Sequence, residues 1–426
     1  MELAPPRGTD DLLGRRSDAM LGLYEHAHRT ARLFGYRFVE TPTFEHTELF
    51  SRTSGGTSDV VTKEMYTFLD QGGRSLTLRP ESTASVVRAY LGHAQELPTP
   101  FKAYYVHANY RHNRPQAGRL REFRVFGCEV IGEAEPGADV EIIVVADRYL
   151  RERGLRDLVL HLNSIGDEVC RPAYRERLIA HLEPHAIDLD EDCRSRLHTN
   201  PLRVLDCKVD GRKDYVLGAP LITDHLCEAC GAHFSAVREG LAAAGIAFEL
   251  DPRLVRGLDY YTRTAFEFIA RSSPQAQAAT VCGGGRYDGL AETLGGRPTP
   301  GVGFGMGLDR VLLAMQEESL ALPELGGLRC FVVAVGDAAQ AAGAALVAEL
   351  RDAGVPAASS FSPRPVKAQM KMADRAGADY VAIIGEQELA SDVVTLRRLM
   401  DGSQTSLPAG EVAGRLRAPD EGAGAP

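Results

Sequence analysis

The sequence predicts an α+β protein built round antiparallel strands, with a helical insertion and a smaller α/β domain at its C-terminal end. Three observations carry this. FKAYYVHANYR (Phe101–Arg111) and REFRVFGCEVIG (Arg121–Gly132) alternate like strands on either side of a basic loop, an antiparallel hairpin. Residues 167–245 turn helical and charge-rich and hold five of the eight cysteines. After residue 328, strand-like and helix-like stretches alternate.

In chain order, residues 17–34 read as an amphipathic helix, with Met20, Leu21, Leu23, Tyr24 and Ala27 at helical spacing. FGYRFVETPTFE reads as a strand ended or edged by Pro42. SLTLRPESTASVVRAYL gives a strand, a polar turn and a helix starting near Pro80 to Ser82. Strand character resumes beyond the insertion in FELDPRLVRGL, TAFEFIA and TVCGGGRYD, and GVGFGMGLDRVLLAMQ is a Gly-rich strand running into a helix. LPELGGL (Leu322–Leu328) is a linker. RCFVVAVGD, AAQAAGAALVAELRDAG, PVKAQMKMADRAGA and DYVAIIGEQEL then read as strand, helix, helix, strand, implying a largely parallel sheet. The Gly/Ala/Pro-rich tail, 418–426, reads as disordered. The domains are thus 1–321, including the insertion, and 328–417.

The 426 residues fit two or three domains, and the apolar fraction of 44% and charged fraction of 25% are ordinary for a soluble globular chain. No apolar run reaches the ~18 residues of a membrane span, so no membrane partner is expected. MELAPPRGTDDLLG lacks the apolar core of a secretory signal, which makes the cytoplasm the default. Scattered cysteines do not form a disulfide framework. A net charge of −10 argues against bulk attraction to nucleic acid but leaves local basic patches open.

Four stretches carry chemistry. YRHNRPQAGRLREFR holds Arg111, Arg114, Arg119, Arg121 and Arg124 on a hairpin stiffened by Pro115, where guanidinium forks can grip phosphate. A solvated charged loop is the plain alternative. In GVGFGMGLDR the alternating glycines clear one strand face for a ligand or for tight packing, and packing does not explain Arg310. VCGGGRYDGL is either a turn or backbone lining a pocket. RLVRGLDYYTRTAFEF sets Arg256 beside Gly257 and two tyrosines, Tyr260 and Tyr261, suited to gripping an anion and a flat polar ring. A lone CxxC, Cys227 and Cys230, has His225, His233 and Cys207 near in sequence. Only one half of a zinc site is visible, and no metal ligand is assigned.

These pieces resemble class II aminoacyl-tRNA synthetases, and the histidyl-tRNA synthetase family in particular, over nearly the whole chain. FGYRFVETPTFE is similar to motif 1, YRHNRPQAGRLREFRVFGCE to motif 2 and GVGFGMGLDR to motif 3. LVRGLDYY and GGRYDGL resemble the two histidine-specific segments, and TNPLRVLDCK the insertion domain. The resemblance implies a class II antiparallel sheet, an anticodon-binding C-terminal domain and a homodimer through motif 1. It implies L-histidine, ATP with Mg2+ held largely by the triphosphate, and tRNA(His).

By that resemblance Arg256 and Arg111 are catalytic, gripping the histidine carboxylate and the α-phosphate. Glu81 and Thr83 hold the α-amino group, and Glu129, Tyr261, Tyr287 and Tyr260 surround the ring. Arg111, Asn113, Arg121 and Arg310 bind ATP. Arg114 and Arg119 meet tRNA, as do Lys367, Lys371 and Arg375, spaced i, i+4, i+8 on one helix face. A solvated helix face remains the alternative for that stripe, since residues 328–426 carry ten Lys and Arg against twelve Asp and Glu. Two positions depart from the family pattern. Asn113 stands where a Glu is common, and Val125 where a Gln helps hold the substrate amino group. A non-catalytic regulatory relative and a generic ATP-dependent amide ligase are the rival readings.

Overall fold

The two alternating segments pair over their full length in a computed structural model that describes residues 3–53, 60–271, 280–323 and 327–417. The chain divides into two compact units, Met1–Pro323 and Glu324–Pro426.

In the first unit the strands are β1 (Arg37–Phe38), β2 (Phe44–His46), β3 (Tyr66–Leu69), β4 (Ser75–Leu78), β5 (Phe101–Tyr110), β6 (Glu122–Ile131), β7 (Leu158–Ser164), β8 (Glu249–Leu250), β9 (Thr262–Ala270), β10 (Thr280–Arg286) and β11 (Gly301–Gly307). Eight form one sheet in the order β1-β5-β6-β11-β10-β9-β7-β8, while β2, β4 and β3 form a small antiparallel sheet. All interior pairings of the large sheet are antiparallel, and only the short edge strands β1 and β8 run parallel to their neighbours.

Side chains on a strand alternate between faces, and the sequence uses this fully. Phe126, Cys128 and Val130 of β6 and Val302, Phe304 and Met306 of β11 point to one face. There they pack against the helices Arg15–Leu33, Pro136–Glu152 and Leu308–Glu317. Full burial of each such side chain contributes roughly 1.5–3 kcal/mol. The residues between them, Val125, Gly127 and Glu129 on β6 and the four odd-numbered glycines of β11, are left for the other face. That face carries the site.

Between β7 and β8 the chain is helical, from Arg171–Leu182 to Glu228–Ala243; Tyr174, Leu178, Cys193 and Val216 form a second cluster shared with Val255, Tyr261 and Ala265, while Phe234, Val237 and Leu241 join the main core. In the second unit β12 (Cys330–Ala334), β13 (Ala357–Ser359), β14 (Tyr380–Ile384), β15 (Val393–Arg398) and β16 (Gln404–Pro408) form a sheet in the order β13-β12-β14-β15-β16.

The structure corrects several expectations. The second sheet is mixed rather than largely parallel, because β14, β15 and β16 run antiparallel. GEQEL does not extend β14, and Glu386–Ala390 is a short helix. FGYRFVETPTFE is two short strands with Pro42 between, and FELDPRLVRGL is strand only at β8. Leu21, counted in the apolar stripe of the first helix, is 45% exposed. The expected tail, 418–426, and linker residues 324–326 lie outside the described residues.

Candidate active site

A cavity of about 360 Å³ opens on the glycine face of the large sheet. Its floor is the turn between β4 and the helix Thr83–His93. Glu81 lies three residues before Ala84 and accepts its backbone N–H at 3.0 Å, in place of a Ser82 side-chain cap. Burial pushes the Glu81 carboxyl up to about 7, against the pull of the Ala84 and Thr83 N–H groups and of Arg111. Thr83 donates to Glu129 Oε1 at 2.8 Å. Glu129 also accepts from Tyr105 at 3.0 Å and from Tyr287 at 2.6 Å. Wholly buried, its carboxyl is pushed up to about 8, with those three hydroxyls pulling it back.

Glu129 and Tyr287 therefore stand behind the cavity wall, engaged with each other, and do not line it as the sequence suggested. Tyr260 and Tyr261 do line it, with ring centroids 4.7 Å apart. Tyr260 reaches Glu81 and turns its ring edge to Tyr287 at 6.0 Å.

Four arginines converge on this cavity: Arg111, Arg119, Arg256 and Arg310. Arg111, one residue past β5, donates from Nε to the Pro80 carbonyl at 2.8 Å, and its guanidinium lies 5.4 Å from the Phe123 ring centroid. Arg256 is ion-paired to Glu267 and lies 5.7 Å from the Tyr261 ring centroid. Arg310, in the first turn of the helix after β11, bonds the carbonyls of Gly118 at 3.0 Å and Thr280 at 2.6 Å. Burial, then Arg111 and Arg119, lowers the Arg310 pKa to about 10. Arg256 and Arg119 have carboxylate partners, but Arg111 and Arg310 are held by neutral carbonyls, so the cavity is suited to an anion.

The glycines now have a reason. A Cβ at Gly283 would strike the Arg256 guanidinium, and one at Gly285 the Tyr261 ring. One at Gly301 would strike Tyr287, one at Gly303 Glu129, and one at Gly127 Tyr105. Five strand positions are bare so that five site side chains can lie flat on the sheet. Gly305 and Gly307 alone of the β11 glycines face the open cavity.

Other placements differ from expectation. Arg119, set with tRNA, turns into the cavity and pairs with Glu64 at 2.8 Å. Arg121, set with ATP, lies outside it, packed on Gly8 and donating to the Asn113 carbonyl at 3.2 Å. Arg286 is a buried clamp to Asp139 and does not line the cavity. Asn113 lines the cavity, and its buried Oδ1 has no hydrogen-bond partner among the described residues. Val125 also lines it, with no polar atom to offer. Arg114 is exposed on the loop. Lys367, Lys371 and Arg375 are exposed on the helix Val366–Arg375, as their spacing predicted.

The sequence reading missed Glu267, Thr280 and Asp309. Glu267 orients Arg256 and accepts from Thr280 Oγ1 at 3.1 Å, and Asp309 accepts the Arg124 N–H at 2.8 Å. A lone acid inside the apolar strand TAFEFIA was the available signal for Glu267. Of the histidines near the CxxC, His233 faces Asp139 at 3.3 Å and His225 lies by Tyr174.

A family model described as histidyl-tRNA synthetase matches residues 8–311, and one described as an anticodon binding domain matches 329–418. The histidine–tRNA ligase of Moorella thermoacetica is 48% identical over 413 residues, covering 97% of each chain. That of Geobacillus thermodenitrificans is 45% identical, covering 96% of this chain and 97% of its own. The apo histidyl-tRNA synthetase structure from S. aureus superposes with a TM-score of 0.82 at 36% identity, covering 98% of this chain and 100% of that one.

Proposed function

The chain belongs to the histidyl-tRNA synthetase family, and from that premise we propose how its residues share out the ligation of L-histidine to tRNA(His). The reaction has two steps. A carboxylate oxygen of L-histidine attacks the α-phosphorus of ATP, and the bond to the β-phosphate breaks to release pyrophosphate. The 3′-terminal hydroxyl of the tRNA then attacks the histidyl carbonyl and AMP leaves, the hydroxyl proton passing to the departing phosphate or solvent.

In the first step negative charge gathers on the α-phosphate. Arg256 and Arg111 take it from two sides, already placed and partly desolvated, the arrangement that usually contributes most to such a rate. Glu81 takes the substrate ammonium, with Thr83 beside it. Tyr260 and Tyr261 border the imidazole, while Glu129 and Tyr287 fix that wall from behind. Because Val125 offers no hydrogen bond, Glu81 carries the ammonium more heavily here. Arg310 and Arg119 meet the outer phosphates. The free Oδ1 of Asn113 accepts the adenine amino group.

Mg2+ would arrive with the triphosphate. Of the acids lining the cavity, Asp309 is engaged by Arg124 and Glu81 is given to the substrate ammonium, which leaves the phosphates as its main ligands. Arg114 and the stripe Lys367, Lys371 and Arg375 are assigned to the tRNA backbone. A homodimer is proposed from Phe44 and Phe68, half-exposed and paired at 6.2 Å on the small sheet. Among the described residues no helix is long and apolar enough to cross a membrane, and the cytoplasm is the proposed location.

The carrying observation is four arginines meeting over the Glu81–Thr83 floor. It is tested by ATP–pyrophosphate exchange with each amino acid separately, without tRNA. Exchange with histidine alone is expected. No exchange with any amino acid would turn the reading to a non-catalytic regulatory relative.

A further inference from the structure

The CxxC has a second half after all. Asp167, Cys170, Cys227 and Cys230 each bring one donor atom to the same place, all four within 4.8 Å of one another. The halves are Asp167-x-x-Cys170, in the turn after β7, and Cys227-x-x-Cys230. Each runs into a helix, Arg171–Leu182 and Glu228–Ala243. An Asp in place of the first Cys hid the first half from a search for paired cysteines.

Three of the six donor-to-donor edges are close to those of a mononuclear tetrahedral site. Cys170 Sγ lies 3.8 Å from Cys230 Sγ and 3.4 Å from Asp167 Oδ1, and Cys227 Sγ lies 3.9 Å from Asp167 Oδ1. With Zn–S near 2.3 Å and Zn–O near 2.1 Å, tetrahedral edges are about 3.8 Å for S–S and about 3.6 Å for S–O. A disulfide would need its sulfurs about 2.05 Å apart, and all these cysteines are free.

The surroundings fit bound thiolates. The Asp167 N–H points at Cys170 Sγ at 3.3 Å, and the Val169 N–H fixes Asp167 Oδ1 at 3.0 Å. Gly166 has φ +63°, and a Cβ there would lie 2.6 Å from Cys170 Sγ. Three thiolates and a carboxylate would outweigh a divalent ion. Arg263 stands 3.4 Å from Asp167 Oδ2, and Arg171 borders Cys170 and Asp167. A second group, Asp190, Cys193, Cys207 and Asp210, also gathers. There Cys207 donates to Asp190 at 3.0 Å and Lys213 pairs with Asp210 at 2.7 Å, and with two thiols against three that group is the poorer match to zinc.

We propose that Asp167, Cys170, Cys227 and Cys230 bind one Zn2+, a structural ion that fastens the base of the helical insertion to the sheet. Full-length chain is loaded with zinc, dialysed against metal-free buffer and assayed for metal by mass spectrometry. Close to one zinc per chain is expected. Cys230→Ser should lose it, while Cys330→Ser, in the core of the second unit, keeps it. If Cys230→Ser does not fold, Co2+ replaces zinc in the wild type, where the visible bands of tetrahedral thiolate coordination are expected. In Asp167→Cys those bands should shift as a fourth sulfur joins. A wild-type chain that retains no zinc and gives no such bands, or a folded Cys230→Ser with undiminished zinc, overturns the assignment.

Discussion

The guanidinium of Arg256 occupies the space where a side chain at Gly283 would begin. One residue supplies the charge and the other the room for it. Gly283→Ala should therefore push Arg256 off its mark while leaving every charged group present. A misplacement of about 1 Å can cost as much as 10²-fold. Pyrophosphate exchange is expected to fall at least tenfold with L-histidine, and an unchanged rate would show that Arg256 does not act from this position.

Arg256→Ala removes the charge itself. The loss expected for one preplaced donor at a developing oxyanion is on the order of 10²–10³ in kcat. Histidine binding should be partly retained, since Glu81 and Thr83 remain. Stopped-flow measurement of adenylate formation, beside equilibrium binding, separates the two effects, and wild-type adenylate formation would end the role given to Arg256.

Asn113→Ala deletes the acceptor proposed for the adenine amino group. A single neutral hydrogen bond is worth about 0.5–1.5 kcal/mol, so KM for ATP should rise roughly two- to tenfold. KM for histidine should hold steady. If both move together, Asn113 shapes the loop and does not read the base.

The buried carboxyls set a pH dependence of stability. Glu129 keeps its proton up to about 8 in the folded chain, pushed there by burial, and loses it near 4.3 when unfolded. Between those values the folded state holds more protons, so stability falls as pH rises and the cost is complete above about 8. Glu81 adds to the slope up to about 7. Glu129→Gln should be more stable than wild type at pH 8.5, by a few kcal/mol at most, with the difference fading toward pH 5. Urea unfolding at several pH values measures this, and a pH-independent difference would contradict it.

Replacing Lys367, Lys371 and Arg375 together by Ala should raise KM for tRNA(His). It should also flatten the salt dependence of aminoacylation, since a phosphate that meets no cation of the protein keeps its counterions. An unaltered salt slope would leave the stripe as a solvated helix face.

The hairpin β5–β6 and the run from β11 into its helix were legible because their periodicities are strong and local. So was the membership of the cavity for Arg111, Arg256, Arg310, Glu81 and the two tyrosines, carried by motif resemblance. The positions of Arg119 and Arg121 were not. They sit two apart in one loop, and which turns inward depends on Glu64 and Gly8, distant partners that no local pattern reveals. Glu129 and Tyr287 were set round the imidazole, whereas they bond each other behind the cavity wall, a tertiary relationship that no local pattern reveals. The four-donor cluster escaped because it joins residues 60 positions apart, one of them an Asp that spacing rules for cysteine pass over.

Arg171 opens the first helix of the insertion, yet it donates to the main-chain carbonyl of Tyr261 and to that of Ile165 at 2.9 Å. The insertion is therefore yoked to the backbone of the cavity wall. A tilt of that helix drags a tyrosine with it, and a force applied to the insertion is felt at the wall of the cavity.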